Sequence, residues 1–206
     1  MSDLVLTGWT GVEFAQIAAH TVPLLARYAE RHGAGFGCAN LAGERTPSWM
    51  KVPALLQALR THEQVAWIDA DVVVAPDAGC IFEAAGDCWQ AIVEHETECG
   101  TVPNCGVWVV KRQMIPVLTD MWNSGDYRDH GWWEQAALLG HMGYEVMSGP
   151  HARLDEPTTL YGNTTFLHPR WNHHPHDRRR VDAPTFVHVT QYADRIETVR
   201  RLCAGS

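Results

Sequence analysis

The segment Gln64-Val65-Ala66-Trp67-Ile68-Asp69-Ala70-Asp71-Val72-Val73-Val74 constrains this chain more than any other. Apolar residues on both sides of two aspartates, stopped at Ala75-Pro76, read as a strand covered on both faces. In an extended chain residues i and i+2 point to one side, so Asp69 and Asp71 are expected to face the same spot. Two anions held together call for a cation. The carboxyl end of a strand in an open α/β sheet is where ligands bind. Paired carboxylate oxygens suit Mg²⁺ or Mn²⁺, ions that keep positions open for water or a substrate phosphate. A diphosphate is then the natural third party, and a solvated strand end is the plain alternative.

The remaining composition sets the frame for that site. A length of 206 residues predicts one compact domain over residues 1–206, burying roughly 70% of its unfolded surface. Sixteen Lys and Arg against 24 Asp and Glu give a net charge of −8, a field that repels a phosphate backbone and speaks against nucleic-acid binding. The chain is 46% hydrophobic and 19% charged, unlike a disordered protein. No apolar stretch approaches the roughly 18–20 residues that cross a bilayer, and Met1-Ser2-Asp3 lacks the flank of a signal peptide, so a soluble, cytoplasmic chain is expected. The cysteines Cys38, Cys80, Cys88, Cys99, Cys105 and Cys203 form no Cys-x-x-Cys pair and read as reduced thiols. Nine Trp, several beside polar residues, hint at a stacking surface, although burial is the commoner fate.

Periodicity predicts strands at Leu4–Thr7, Gly35–Leu41, Gln64–Ile68, Trp89–Val93, Gly106–Val110 and Pro184–Val189. Helices are predicted over Val12–His32, with Pro23 kinking or restarting the element and Thr21 as a cap, after Ser48 as cap of a helix carrying Trp49, Val52, Leu55, Leu56 and Leu59, and over Ile115–Trp122 and Trp132–Met142. Alternating strands and helices predict an α/β fold with a mostly parallel central sheet flanked by helices. Beyond about Ser148 the chain reads as loop rich in Pro, Gly, Asn and His.

Trp49-Met50-Lys51, Leu55-Leu56, Leu59 and Trp67-Ile68-Asp69-Ala70-Asp71 together resemble the metal-binding region of glycosyltransferases with the nucleotide-diphospho-sugar (GT-A) fold. The likeness is greatest to the galactosyl-, mannosyl- and xylosyltransferase group of fungi and plants. Tyr28-Ala29-Glu30-Arg31-His32-Gly33, Asn104-Cys105-Gly106-Val107, Glu134-Gln135-Ala136-Ala137-Leu138, Trp171-Asn172 and Phe186-Val187-His188 follow in the family's order, over roughly residues 3 to 192. The resemblance implies Asp69 and Asp71 near the ribose and metal, with His188 as third protein ligand of Mn²⁺ or Mg²⁺. A core histidine on a strand is the alternative for His188. By position, the resemblance puts Thr7 and Trp9 beside the nucleobase and Asn104 on sugar hydroxyls, unless Asn104 is an ordinary turn residue.

Glu134 and Gln135 are implied at the reacting face of the donor sugar, with Glu where the family more often has Asp. Their role is stabilisation of an oxocarbenium-like sugar; a solvated helix-start Glu is the alternative for Glu134. Lys51 either meets the diphosphate or donor sugar or lies on a helix surface. His168-Pro169-Arg170-Trp171-Asn172-His173-His174-Pro175-His176 reads as a stiffened loop that brings Trp171, with Asn172, against the donor, in preference to a zinc site. Arg178-Arg179-Arg180 reads either as a diphosphate patch or as a solvated loop.

The expectation is a metal-dependent transferase moving a sugar from a nucleotide diphosphate donor, a UDP-sugar, to an unidentified acceptor hydroxyl, and the resemblance implies that the anomeric configuration is retained. The alternatives are a hydrolase using the same pocket and a nucleotide- or glycan-binding domain without turnover.

Overall fold

The computed structural model describes residues 3–98, 100–190 and 192–204. Strand β1 (Leu4–Trp9), helix α1 (Val12–Arg31), strand β2 (Gly35–Asn40), helix α2 (Lys51–Ala58) and strands β3 (Gln64–Ile68) and β4 (Val72–Val74) form the first half. Helix α3 (Ile81–Ala85), strands β5 (Gln90–Thr97) and β6 (Gly100–Lys111), and helices α4 (Ile115–Ser124) and α5 (Trp133–Met142) follow. The last part holds strands β7 (Tyr144–Val146) and β8 (Ala152–Leu154), helix α6 (Thr159–Gly162), strand β9 (Thr164–Leu167), strand β10 (Phe186–His188) and helix α7 (Arg195–Ala204).

Six strands make one sheet in the order β2-β1-β3-β6-β5-β9. Pairings β1·β2, β1·β3 and β5·β9 are parallel, and only β6 runs against its neighbours. The result is the mixed, mostly parallel α/β sheet that the alternation of elements predicts. Successive residues of each strand point to opposite faces. Leu4, Leu6, Val65, Trp67, Trp108 and Val110 pack on one side against α2, α4 and α5. Val5, Ala66, Ile68, Val107 and Val109 pack on the other against α1, α3 and β4.

Several local expectations are corrected. Helix α1 runs through Pro23 without a break, and Thr21 lies inside it, where its hydroxyl donates to Ala70 O at 2.6 Å. Ser48 does not cap α2: it sits in the preceding turn, and Met50 is the N-cap with no side-chain bond. Asp69-Ala70-Asp71 is not extended but folded into a turn, closed by Val72 N–H donating to Asp69 O at 3.0 Å. The chain then re-enters as β4, which leaves the main sheet and pairs with β10. The loop expected beyond Ser148 contains β9, which adds a strand to the sheet edge at Gln90↔Thr164 through Val93↔Leu167.

The β5·β6 ladder places the site. Its register jumps from Ile92↔Trp108 to Val93↔Asn104, so Cys105, Gly106 and Val107 bulge away from β5. On the other side of β6, Asp69 N–H donates to Gly106 O at 2.8 Å, extending the β3·β6 pairing to the edge of the turn. Asn104 through Gly106 therefore lie beside the aspartates.

Gly143 ends α5 at φ 96°, and a methyl group there would be driven into the carbonyl of Glu156. Gly143→Ala is expected to cost about 2–4 kcal/mol from left-handed strain and overpacking combined. Urea unfolding checks this, and a midpoint unchanged from wild type would contradict it.

Candidate functional site

The site forms where β1 and β3 end. Asp69, Asp71 and His188 converge there, each offering a ligand atom within 4.8 Å of the others. His188 arrives from the far end of the chain through the β10·β4 pairing, which sets His188 opposite Val72. Its Nε2 lies 3.3 Å from Asp71 Oδ1 and 3.9 Å from Asp69 Oδ2. Gly106 makes this approach feasible, since a methyl group in its place would lie 2.6 Å from His188 Nδ1. Asp71 and His188 are buried, whereas the Asp69 side chain keeps 23% exposure and opens the trio to solvent.

Electrostatics follow from this packing. Burial would raise the Asp71 carboxyl, but the adjacent His188 outweighs it and holds the group ionised below its ordinary range. Burial would likewise disfavour charge on His188, yet Asp71 and Asp69 draw its pKa upward. Two carboxylates and an imidazole in a negative potential are a donor set for a divalent cation, and the residues fit one.

Lys51 stands on the other side of Asp69. It is not a surface lysine: at 6% exposure it pairs with Asp69 Oδ1 at 3.0 Å and Glu134 Oε1 at 2.9 Å. Burial opposes its charge, but the two carboxylates hold its pKa above the ordinary lysine value. The Trp67 indole donates to Asp69 Oδ1 at 2.7 Å and fixes that carboxylate from below. Glu134 is buried, not solvated; burial raises its pKa against the pull of Lys51. Its Oε2 is enclosed and has no hydrogen-bond partner among the described residues. Gln135, next on α5, accepts from Asn104 Nδ2 at 3.1 Å.

Other expected residues are dispersed. Thr7 is buried on β1 with a hydroxyl that has no partner among the described residues, and Trp9 lines a cleft of about 490 Å³ with Thr10, Gly11, Cys38, Ala39 and Asn40. Sequence reading did not find this cleft, because Cys38–Asn40 meet Trp9 only through β1·β2 pairing. Asn104 is no isolated turn residue: Gly106 N–H donates to its Oδ1 at 2.9 Å. Trp171 is not brought to the acidic trio. Its ring packs edge-on against Phe186 at 5.4 Å, on the helix α1 side of the sheet. Asn172 is fully buried behind His188 and does not line the cleft.

The basic triplet is internally paired: Arg178 with Glu98 at 3.6 Å, Arg179 with Asp177 at 2.7 Å, and Arg180 with Asp182 at 3.1 Å. Among the described residues, Asp69, Asp71 and His188 form the group with metal-ligand geometry, and the histidine-rich loop forms none. Cys38, Cys80, Cys88, Cys105 and Cys203 are free thiols, while Cys99 lies outside the described residues. The Tyr28–Gly33 motif is architectural, with the Tyr28 hydroxyl bridging Gly79 O and Ile81 N at 2.9 Å each and His32 Nε2 bonded to Ala78 O.

No known protein-family model matches the sequence, and no curated protein sequence matches it. Solved structures match its fold. A glycosyltransferase involved in glycosylation of the major capsid of PBCV-1 superposes with TM-score 0.71 at 20% identity, covering 98% of each chain. The galactosyltransferase LgtC, solved with donor and acceptor sugar analogs, gives TM-score 0.63 at 11% identity over 98% of this chain and 95% of that one. The bifunctional glycosyltransferase WbbM gives 0.59 at 12% identity, with all of this chain covering 50% of that one. The chain has the GT-A fold.

The buried ion pairs make a sharp energetic demand. Lys51→Met leaves Glu134 uncompensated and is expected to cost about 3–5 kcal/mol, with much of the loss recovered in a Lys51→Met/Glu134→Gln double variant. Urea unfolding reads both, and a single-variant loss below about 1 kcal/mol would place the pair among weak surface bridges.

A second demand is pH-dependent. Burial pushes His95 down to about 4, and burial with neighbouring imidazoles pushes His174 down to about 3. Both folded values lie below the unfolded value of about 6.5, so this stability is present above about 6.5 and is lost progressively as pH falls through the folded values. In EDTA the urea midpoint is expected to drop between neutral pH and pH ~4.5, less steeply in His95→Gln. Identical slopes for the two chains would remove His95 from the account.

Proposed function

We propose that this protein is a metal-dependent glycosyltransferase that moves a sugar from a UDP-sugar to an acceptor hydroxyl with retention of anomeric configuration. The observation that carries this reading is the convergence of Asp69, Asp71 and His188 beside Glu134, a buried carboxylate whose Oε2 has no hydrogen-bond partner among the described residues. A cation site alone would suit many reactions. An enclosed, unpartnered carboxylate oxygen next to it calls for a polar ligand, and a sugar hydroxyl or a sugar carbon gaining positive charge meets that need. The solved structures of similar fold support a sugar substrate, since LgtC carries donor and acceptor sugar analogs and the PBCV-1 enzyme serves capsid glycosylation.

Asp69, Asp71 and His188 would hold Mn²⁺ or Mg²⁺. When bound, the ion supplies Lewis-acid neutralisation of charge on the departing diphosphate. The cleft at Trp9, Cys38 and Asn40 offers the nucleobase an aromatic ring and amide edges, with Thr7 behind it. Lys51 pairs with Glu134 Oε1 at 2.9 Å and opposes the rise that burial imposes on its pKa, which leaves Oε2 as the oxygen that would meet the donor sugar. Gln135 offers its amide N–H groups at the same face, next to the sugar's reacting carbon. Glu134 thus stabilises positive charge at that carbon, while the Gln135 N–H groups donate to oxygen on the face the diphosphate leaves and the acceptor hydroxyl enters, which is the geometry of retention. Asn104 acts through Gln135.

Thermal unfolding with UDP, GDP and their sugar conjugates, with and without Mn²⁺, tests the reading. A ligand at 100 times its dissociation constant adds about 2.7 kcal/mol of stability. Stabilisation is expected to need UDP and Mn²⁺ together and to vanish in Asp71→Ala. Glu134→Gln is expected to keep that stabilisation while lowering turnover of the donor by about 100-fold or more. No stabilisation by any pair would sink the transferase reading, and an inverted first product seen by NMR would sink retention alone.

A further inference from the structure

Behind His188 the fold sets a row of side-chain amides, Asn172 buried and Asn104 and Gln135 half-buried. Asn172, on the helical turn Pro169–Asn172, is fully buried, with Oδ1 3.1 Å from His188 Nδ1 and Nδ2 2.9 Å from Asn104 Oδ1. The same Asn104 oxygen accepts from Gly106 N–H at 2.9 Å. Asn104 Nδ2 in turn donates to Gln135 Oε1 at 3.1 Å, which also accepts from Cys105 N–H at 3.4 Å.

The direction of every bond in this row is fixed by the backbone. A peptide N–H can only donate, so the Asn104 atom facing Gly106 is the oxygen and the atom facing Gln135 is the nitrogen. Asn172 meets that same oxygen and must present its NH₂ there, which turns its own oxygen toward His188. His188 answers with Nδ1–H. In the neutral imidazole the lone pair then sits on Nε2, the nitrogen facing Asp71 and Asp69. At the other end, two N–H groups hold Gln135 Oε1, so its NH₂ is turned away from the row. Among the described residues nothing pairs with that NH₂.

We propose that Asn172 is a positioning residue that sets the tautomer and ring orientation of His188, and that Asn104 passes the same constraint to Gln135. One hydrogen-bonded row then orients both the cation ligand and the amide at the reacting face. The inference rests on Asp69, Asp71 and His188 being cation ligands. It adds that Asn172 and Asn104 act without touching either the ion or the donor, because outer partners of a histidine ligand commonly govern its affinity.

The test is Mn²⁺ titration of the full chain, read by the electron paramagnetic resonance of free Mn²⁺ with no donor present. Asn172→Leu, similar in volume but without an acceptor, is expected to weaken Mn²⁺ binding by about 10- to 100-fold. Asn172→Asp, which again accepts from Nδ1–H but sets its second oxygen against Asn104 Oδ1, is expected to recover part of that loss. Asn104→Asp keeps its acceptor oxygen but cannot donate to Gln135, so Mn²⁺ binding should persist while donor turnover falls. Imidazole ¹⁵N spectra of the wild-type chain loaded with diamagnetic Mg²⁺, which meets the Nε2 lone pair in place of a proton, should show His188 protonated at Nδ1. Protonation at Nε2 there would overturn the inference even if a variant failed to fold. So would wild-type affinity in Asn172→Leu, or no recovery in a folded Asn172→Asp. Wild-type protein that takes up no Mn²⁺, or takes it up equally after Asp71→Ala, would instead remove the cation reading and this inference with it.

Discussion

The buried ammonium of Lys51 is the interaction on which the site depends. Asp69 and Glu134 come from different elements, one at the end of β3 and one in the first turn of α5, and both face the same enclosed space. Without a cation between them their repulsion and desolvation would push one carboxyl to neutrality or push the elements apart. Lys51 reaches both at about 3 Å, and a third contact runs to Cys105 O at 3.4 Å. Helix α2 is where this cation has to start. Val52 and Leu55 anchor the helix in the core, and Trp49 locks the turn before it through an indole bond to Arg128 O at 3.2 Å.

Register does the rest. His188 is 117 residues beyond Asp71 in sequence, and the two meet because β10 pairs with β4 with His188 opposite Val72. A slip of one residue would turn the imidazole to the other side of the ribbon and put Val187 or Val189 over the aspartates. The bulge in β6 has the same character. A regular β5·β6 ladder would keep Asn104–Gly106 in the plane of the sheet, whereas the jump after Trp108 frees Gly106 to approach His188 and Asn104 to approach Gln135. Thr21 secures the aspartate turn from below by donating to Ala70 O.

What could be read from the sequence divides along the range of the forces involved. Strands β1, β3 and β6 and helices α4 and α5 were legible because their apolar periodicity is local and strong. Strand β9 was hidden, since Thr164-Thr165-Phe166-Leu167 is too short to show a period and becomes a strand through β5. The Asp69–Asp71 spacing was read as extended geometry, yet the carboxylates converge through a turn: the residues were visible and the reason for their convergence was not. Lys51 illustrates the same limit. One charged side chain on an amphipathic helix carries no sign of burial until α5 supplies Glu134. Trp171 misled in the opposite sense, because its position beside Asn172 suggested a shared role and a helical turn sends the two side chains to different places.

The Glu at position 134, where the resembling enzymes more often carry Asp, has a reason in this geometry. A carboxylate one methylene shorter sits about 1.5 Å nearer the α5 backbone. At that distance the Lys51 contact could close only by drawing the ammonium away from Asp69, and the three-group network would lose one of its two pairs. The longer side chain lets Oε1 complete the pair at 2.9 Å and leaves Oε2 enclosed beside it. The extra methylene therefore separates the two oxygens, one paired with Lys51 and one enclosed without a hydrogen-bond partner among the described residues.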